Sequence, residues 1–480
     1  MSVSINELAV WLPGRGIAAG PFSFDVQGLT VVAGRSGTGG SLLASALGGT
    51  LPRGALVHGS WSADEVTVHH VGAFRLDPPL EMTVAEALGG EGHVTAELWA
   101  DVTGCHDLRT SLRELDPAVC SAVPAVRGIL QTHRSHTRAE RVLLVLDQPL
   151  AHLGPDLRGA LARALRHCAD LGVDVCWVEH DLATAVPVAD QVVELLGDGQ
   201  ALVQPSAAWS PRTLPLPPEA ALARALGLPR ADWWDLERLG RHPLVQTAVP
   251  RAQTRSERQA TAVVRVPPGR AGVDGDVDVL VGETLGVVPR DGDHARALSV
   301  ARRLAATIDA EARPRPPLVW PGHVPLGRLA RAWCRARGGD ADVAVAAAAR
   351  VAPVDPARTL AQHSAGERRA AQWALNAAST RTEVLDRPEV GLDAAGRRTL
   401  AAALHDDESE TATLLVSHDA EFLVRACHRL LILPGAADGH EAPAVLGPPV
   451  LVADHLPHQP ALRRAGARAL RVRDVRQETR

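Results

Sequence analysis

Three stretches between His363 and Asp419 carry residue types that phosphate chemistry can use: HSAGERRAAQWALN, EVLDRPEVGLD and LLVSHD. In the first, Ser364 and the small pair Ala365–Gly366 precede Glu367 and an arginine-rich segment with helical spacing. Small residues where a helix begins leave backbone N–H groups open to an anion, and the helix dipole adds to the attraction. In the second, a short apolar strand ends in Asp386, where a carboxylate can hold Mg²⁺ beside a phosphate. The third is another apolar strand, ending in Ser417, His418 and Asp419, which suits an imidazole at a strand tip. Each piece alone is a common way for an element to end. Their order and spacing together carry the information.

Taken together the stretches resemble the signature helix, Walker B strand, D-loop (Gly391, Leu392, Asp393) and switch histidine of an ATP-binding-cassette (ABC) ATPase. The competing reading is an α/β domain in which the small residues, Asp386 and His418 merely terminate elements.

The first half repeats the theme. Leu29–Ala33 is short, apolar and β-branched, as a buried strand should be. Gly34, Ser36, Gly37, Thr38, Gly39 and Gly40 follow as a glycine-rich loop, and Ser41 and Leu42 open an apolar helix to Leu47. A strand, such a loop and a helix start build a phosphate cradle from backbone N–H groups. The spacing matches the Walker A pattern G-x-x-x-x-G-K-[ST], with Gly40 where the lysine belongs; the plain alternative is a glycine turn with no ligand. Arg141–Pro149 (RVLLVLDQP) reads as the Walker B strand, ending in Asp147, and His180 in WVEHDL matches the switch histidine. Ser41 and Asp147 are the Mg²⁺ ligands that the resemblance implies. Gln148 replaces the family's general-base glutamate. A neutral amide cannot accept the proton of an attacking water, a role worth about 10²–10⁴ in rate. The family's signature triplet is missing from SAVPAVRGIL, where Pro124 is expected to disturb the helix start. VGAFRLDPPLEMTVAEAL resembles the Q-loop region without its glutamine, Gly72 or Ala73 falling near that place.

In the second half the loop PRDGDHARAL has a single glycine, Gly292, with His294, Ala295 and Arg296 over the critical positions. It is expected not to cradle nucleotide. Arg387 stands where the catalytic glutamate belongs, and a fixed positive charge cannot act as a base; a phosphate and Asp393 are both open to it as partners. The chain has no lysine at all, but arginine does not fill the two lysine positions; Gly40 and Ala295 do.

These motifs need elements to hold them, and the chain is long enough to supply two domains. Its 480 residues are 46% hydrophobic and 22% charged, the balance of a folded protein rather than a disordered one. A net charge of −5 argues against a broad nucleic-acid footprint. No run of about 18 apolar residues appears, and MSVSINELAVWLPG lacks the regions of a secretory leader. Six scattered cysteines without a CxxC pair read as reduced structural thiols. His133 and His136 have no thiol partners and read as solvated surface.

The resemblance implies an α/β fold of two P-loop NTPase (ABC cassette) domains, each a mostly parallel sheet with a β-subdomain and a helical subdomain. Residues 1–205 form the first cassette, 206–258 a proline-rich linker with a short helix Glu219–Leu226, 259–452 a second, more degenerate cassette, and 453–480 an arginine-rich tail. LPLPPEAALARALGLP is similar to the C-terminal tail of energy-coupling-factor (cobalt and vitamin) importer ATPases. In the family two cassettes pair head to tail. Applied here, one composite site joins Gly34–Leu42, Asp147, Gln148 and His180 to Ser364–Glu367 and Asp393, and it alone is expected to hold ATP with Mg²⁺. The function implied is an ABC transporter ATP-binding subunit with little or no hydrolysis, working with a membrane permease, cytoplasmic and peripheral on the inner face of the membrane. No nucleic-acid partner is expected. The alternative is a regulatory or scaffolding pseudo-ATPase. A ribosome-acting tandem cassette would normally carry a long charged helical linker, and residues 204–258 are proline-rich instead.

Overall fold

The computed structural model describes residues 3–61, 66–72, 79–137, 141–151, 153–234, 239, 242–243, 263–266, 277–280, 282–289, 293–308, 323–336, 338–377, 382–406, 411–434 and 444–447. Ala73 in the Q-loop position, Asp291 and Gly292 of the second loop, most of the linker beyond 234 and the arginine-rich tail lie outside them. The chain divides into two compact units, Met1–Pro217 and Pro218–Arg480.

The first unit opens with a hairpin, β1 (Val3–Leu12) and β2 (Gly16–Val26), extended by β4 (Leu56–Trp61) into an antiparallel sheet of order β2-β1-β4. The larger sheet has the order β5-β6-β7-β3-β8-β9, with β3 (Leu29–Gly34), β5 (Val66–Val71), β6 (Arg141–Asp147), β7 (Asp174–Val178), β8 (Gln191–Leu195) and β9 (Ala201–Pro205). All its pairings are parallel except β8 with β9. Strands such as VLLVL are apolar throughout because a parallel sheet is covered on both faces. Helix α1 (Gly40–Leu47) follows β3. Among the described residues four α-helices stand between β5 and β6: α2 (Val84–Leu88), α3 (His93–Thr103), α4 (Pro117–Cys120) and α5 (Val123–His136). α6 (Pro155–Asp170) joins β6 to β7, and α7 (Leu182–Ala185) follows β7. Leu43, Ala44 and Leu47 of α1 pack between the two sheets, against Val10, Phe22, Val32 and Leu143.

Pro124 does not disturb α5 as expected. It falls in the helix's first turn, where its missing N–H would have had no partner and its fixed φ suits the helix. Beyond β9 the chain stays tied to the first unit. Glu194 is fully buried and accepts the backbone N–H groups of Arg212, Thr213 and Leu214 at 2.7, 2.6 and 3.1 Å.

The second unit begins with α8 (Pro218–Ala225) and the antiparallel pair β10 (Val263–Val266) and β11 (Val277–Leu280). Its main sheet has the order β13-β14-β12-β15-β16, from β12 (Thr284–Pro289), β13 (Thr382–Asp386), β14 (Ala412–Val416), β15 (Arg429–Leu433) and β16 (Val445–Gly447). That order repeats β6-β7-β3-β8-β9 strand for strand. Its helices are α9 (His294–Ile308), α10 (Leu326–Arg335), α11 (Ala341–Val351), α12 (Ala365–Ala377), α13 (Ala394–Leu404) and α14 (Ala420–Ala426). Among the described residues no helix is long and apolar enough to cross a membrane, and all six cysteines are free.

Candidate functional site

In the first unit β3 runs into a loop that only glycine can follow at two points. Gly37 and Gly39 have φ of 89° and 102°, and a Cβ on Gly39 would collide with Ala19. Thr38 closes the turn, its N–H and Oγ1 both donating to the Arg35 carbonyl at 3.1 and 2.8 Å. α1 has no side-chain cap, and the Leu43 N–H is the first to bond back, to the Gly39 carbonyl at 2.8 Å. A helix start of this kind leaves its leading N–H groups, here those of Gly40, Ser41 and Leu42, to an external acceptor.

Asp147 ends β6 at the same edge of the sheet, one strand removed from β3. It is 5% exposed, and its side-chain partner is the Ser41 hydroxyl, which donates to Oδ1 at 3.2 Å. Burial, reinforced by the nearby Glu179 charge and opposed by Ser41, pushes its carboxyl up to about 7. This is a buried acid short of positive charge, and it fits Mg²⁺. Ser41 and Asp147 would hold the ion, which would neutralise part of a phosphate's charge.

Gln148 and Arg387, the residues after the two strand-end aspartates, share an unusual backbone. Their φ values are 52° and 45°, and each N–H donates 2.8 Å across to the neighbouring strand, to Val178 and Val416 respectively. A left-handed non-glycine residue costs about 1–3 kcal/mol and persists where its surroundings enforce it. Both units keep this geometry although the glutamate is gone from both. His180 is half-buried at the tip of β7, its N–H donating to Glu179 Oε1 at 2.7 Å.

The second unit fills the corresponding space with its own side chains. Gly34 and Pro289 hold the same register in their sheets, opposite Leu195 and Leu433. α1 begins six residues after Gly34, and α9 only five after Pro289. His294, rather than Ala295, therefore stands at the helix start. It is 3% exposed, and its Nε2 donates to Asp386 Oδ1 at 2.7 Å. Arg387 Nε reaches the same oxygen at 3.1 Å. Burial would raise the Asp386 carboxyl, but the His294 bond and the Arg387 charge outweigh it and hold the group well below the usual carboxylate range. Asp386, which the sequence offers to Mg²⁺, is already neutralised; Arg387 is bonded to Asp386, where the sequence left a phosphate and Asp393 open. The His418 ring lies 4.7 Å from that of His294.

The signature residues of this unit bond to one another. Ser364 N–H donates to Glu367 Oε2 at 2.8 Å, and Glu367 N–H donates to Ser364 Oγ at 3.2 Å, a reciprocal cap at the start of α12. Ala365 opens that helix. Gly366 packs so tightly that a Cβ would strike the Gly391 carbonyl. Asp393 caps α13, accepting the Gly396 N–H at 2.7 Å.

One pair of residues escaped the reading of the sequence. In the first unit Glu179 is buried behind Asp147 and accepts bonds from Trp177 Nε1 and the N–H groups of Leu150, His180 and Asp181. In the second, Ser417 stands in place of Glu179, and Glu389 in place of Leu150; Ser417 Oγ donates to Glu389 Oε1 at 2.5 Å. The buried carboxylate has moved to the opposite element. Aligning the two halves residue by residue, VEHD on VSHD and DQPL on DRPE, would have exposed the exchange.

A parallel sheet whose glycine loop and acidic strand end meet at one edge, with an antiparallel sheet and a helical insertion beside it, has the fold of a P-loop NTPase cassette. The second unit repeats the sheet order, and the fold is that of ABC-type ATPases in tandem. No protein-family model and no curated protein matches the sequence at a significant level. Solved structures do match the fold. The chain is similar to the archaeal ribosome recycling factor aABCE1, seen with the ribosomal stalk protein aP1, at 16% identity over 89% of this chain and 87% of that one, with a TM-score of 0.52. It is similar to an RNase-L inhibitor at 16% identity over 91% and 89%, TM-score 0.51, and to a chain in a model of ribosome-bound archaeal Pelota and ABCE1 at 16% over 94% and 80%, TM-score 0.58.

Proposed function

We propose that this chain is a tandem-cassette nucleotide-binding subunit that holds one Mg²⁺–ATP at the first cassette, hydrolyses it poorly or not at all, and works with a membrane permease. The observation that carries the nucleotide reading is the opposite electrostatics of two equivalent aspartates. Asp147 is buried with one hydroxyl partner; Asp386 is covered by His294 and Arg387. The first carboxylate has a single hydroxyl as its partner, and the second is held by a guanidinium and an imidazole N–H. In this reading Gly34–Leu42 bind the phosphates through backbone N–H groups, and Ser41 and Asp147 hold the ion. Gln148 and His180 orient water without a base to activate it.

Calorimetry with Mg²⁺ and ATP tests this. One nucleotide per chain, lost in Asp147→Asn and kept in Asp386→Asn, supports it; two per chain, or loss in Asp386→Asn alone, overturns it. The permease is tested at the α2 approach, where Leu80 is exposed. Charge substitutions at Leu80 or Met82 are expected to release the protein from membranes, and unchanged retention removes the permease from the reading. The second reading, a regulatory pseudo-ATPase without a permease, draws support from the tandem-cassette proteins that this chain matches over most of its length.

A further inference from the structure

Helices α3, α5 and α6 of the first unit enclose a cavity of about 440 Å³ that none of the nucleotide-site residues lines. Sites for small molecules are of this size. α3 buries Thr95, Trp99 and Val102 on one face. From another it presents Val94, Glu97, Leu98 and Asp101 to the cavity, a stripe spaced i, i+3, i+4 and i+7. α5 supplies Ile129, which is buried. α6 supplies Ala160 and Ala164, side chains too short to fill the space between the helices. In the second unit the matching pair of helices meets directly. α11 buries Ala344, Ala348 and Val351, and a Cβ on Gly396 of α13 would collide with the Val351 carbonyl. Leu157 occupies that position in α6, where its bulk rules out the same approach.

The charges on the rim are divided between the walls. Glu97 and Asp101 stand on α3 and Arg163 on α6, all three exposed. Glu97 pairs with His93 of its own helix at 3.0 Å. Asp101 and Arg163 have no side-chain partner among the described residues, so no ion pair closes the mouth. We infer that this cavity binds a small zwitterion with an apolar body, the class of the free amino acids with large side chains. Its ammonium group would face the carboxylates of α3, its carboxylate would take the Arg163 guanidinium through two parallel bonds, and its apolar part would lie against Ile129 and Ala164. A simple anion would meet two carboxylates on α3, and a simple cation would meet the guanidinium on α6; a molecule with both charges suits both walls. A metal ion does not suit the rim. His133, His136 and His167 line it too, but among the described residues no three metal-ligating side chains are grouped to hold an ion. Burial pushes the Cys168 thiol up to about 11, so it stands in the wall as an apolar group rather than a thiolate. The inference goes beyond the nucleotide reading and requires neither ATP nor a permease.

The test is a ligand-observed NMR titration of the full chain with phenylalanine, phenethylamine, 3-phenylpropanoate and glycine. Phenethylamine lacks the carboxylate, 3-phenylpropanoate lacks the ammonium group, and glycine lacks the apolar body. Phenylalanine is expected to bind tighter than either aromatic analogue, by up to about 5-fold for each exposed charge pair, and glycine not to bind. Arg163→Gln should remove the advantage over phenethylamine, and Glu97→Gln with Asp101→Asn the advantage over 3-phenylpropanoate. Ala164→Phe should fill the cavity and abolish binding of all the aromatic probes. Phenylalanine binding no tighter than its analogues, no binding of any probe, or binding unmoved by Ala164→Phe overturns the proposal. If Ala164→Phe lowers the melting temperature, the rim substitutions decide, because those side chains are exposed. Nucleotide binding by the rim variants should stay unchanged, which separates failure of this site from failure of the nucleotide reading.

Discussion

His294 Nε2 donates to Asp386 Oδ1 at 2.7 Å, and this bond sets the second cassette apart from the first. At the equivalent strand end Asp147 receives a bond from the Ser41 hydroxyl, at 3.2 Å. An imidazole and a guanidinium on one carboxylate leave it little affinity for a metal. A single neutral hydroxyl leaves a buried carboxylate in need of one.

Removing the two side chains that cover Asp386 should therefore create a metal site. His294→Ala with Arg387→Gln is expected to lower the melting temperature and to gain a second Mn²⁺ per chain, with part of the lost stability recovered on adding Mn²⁺. Paramagnetic titration of Mn²⁺ counts the sites. A count unchanged from the parent would show that the two side chains do not stand in for a metal.

Gly40→Lys should tighten nucleotide binding, but only with a second change. A Cβ on Gly40 would sit 2.9 Å from Val178 Cγ1, and Val178 is buried and β-branched, so it has little room to yield. Gly40→Lys with Val178→Ala is expected to gain about 10- to 150-fold, the worth of one charged hydrogen bond. Calorimetry on both variants decides. A full gain in the single variant would mean that the packing there is looser than the geometry indicates.

Purified protein should show no sustained ATP turnover. Gln148 and Arg387 supply no base at either position, and a base is worth about 10²–10⁴ in rate. Phosphate release near 1 s⁻¹ that disappears in Asp147→Asn would contradict this.

Glu383 offers a pH test away from the nucleotide site. It lies on β13 with its carboxyl buried, one oxygen lacking a partner and the other accepting from Thr413 Oγ1 at 3.2 Å. Burial outweighs that bond and pushes it up to about 7 from 4.5. A raised acid pKa means that the folded state holds the proton longer than the unfolded one, so stability is lost as pH climbs from 4.5 through 7. Glu383→Gln should be more stable than the parent above pH 7, by something on the order of 3 kcal/mol, and the difference should vanish below pH 4.5. Denaturant unfolding at pH 4.5 and pH 8 measures it, and a difference independent of pH would rule out titration of this group.

The sequence by itself determined the two cassettes and the chemistry they have lost. Apolar β-branched runs ending in Asp147 and Asp386 read as strands of a covered sheet, and the glycine spacing at Gly34–Gly40 as a loop suited to close approach of an anion. The missing glutamates at Gln148 and Arg387 were legible because residue type alone decides whether a base is present. What a sequence does not carry is which side chains meet across strands far apart in the chain. His294 and Asp386 are 92 residues apart, and a one-residue shortening of the loop before α9 brings the imidazole, rather than Ala295, onto the carboxylate. Glu179 and Glu389 were hidden for the same reason. Each looks like an ordinary residue beside a motif until the fold packs it away from water, where burial, a property of three-dimensional packing, raises its pKa. The strain at Gln148 and Arg387 is likewise a product of the tertiary structure, since each N–H is held by a carbonyl on the adjacent strand.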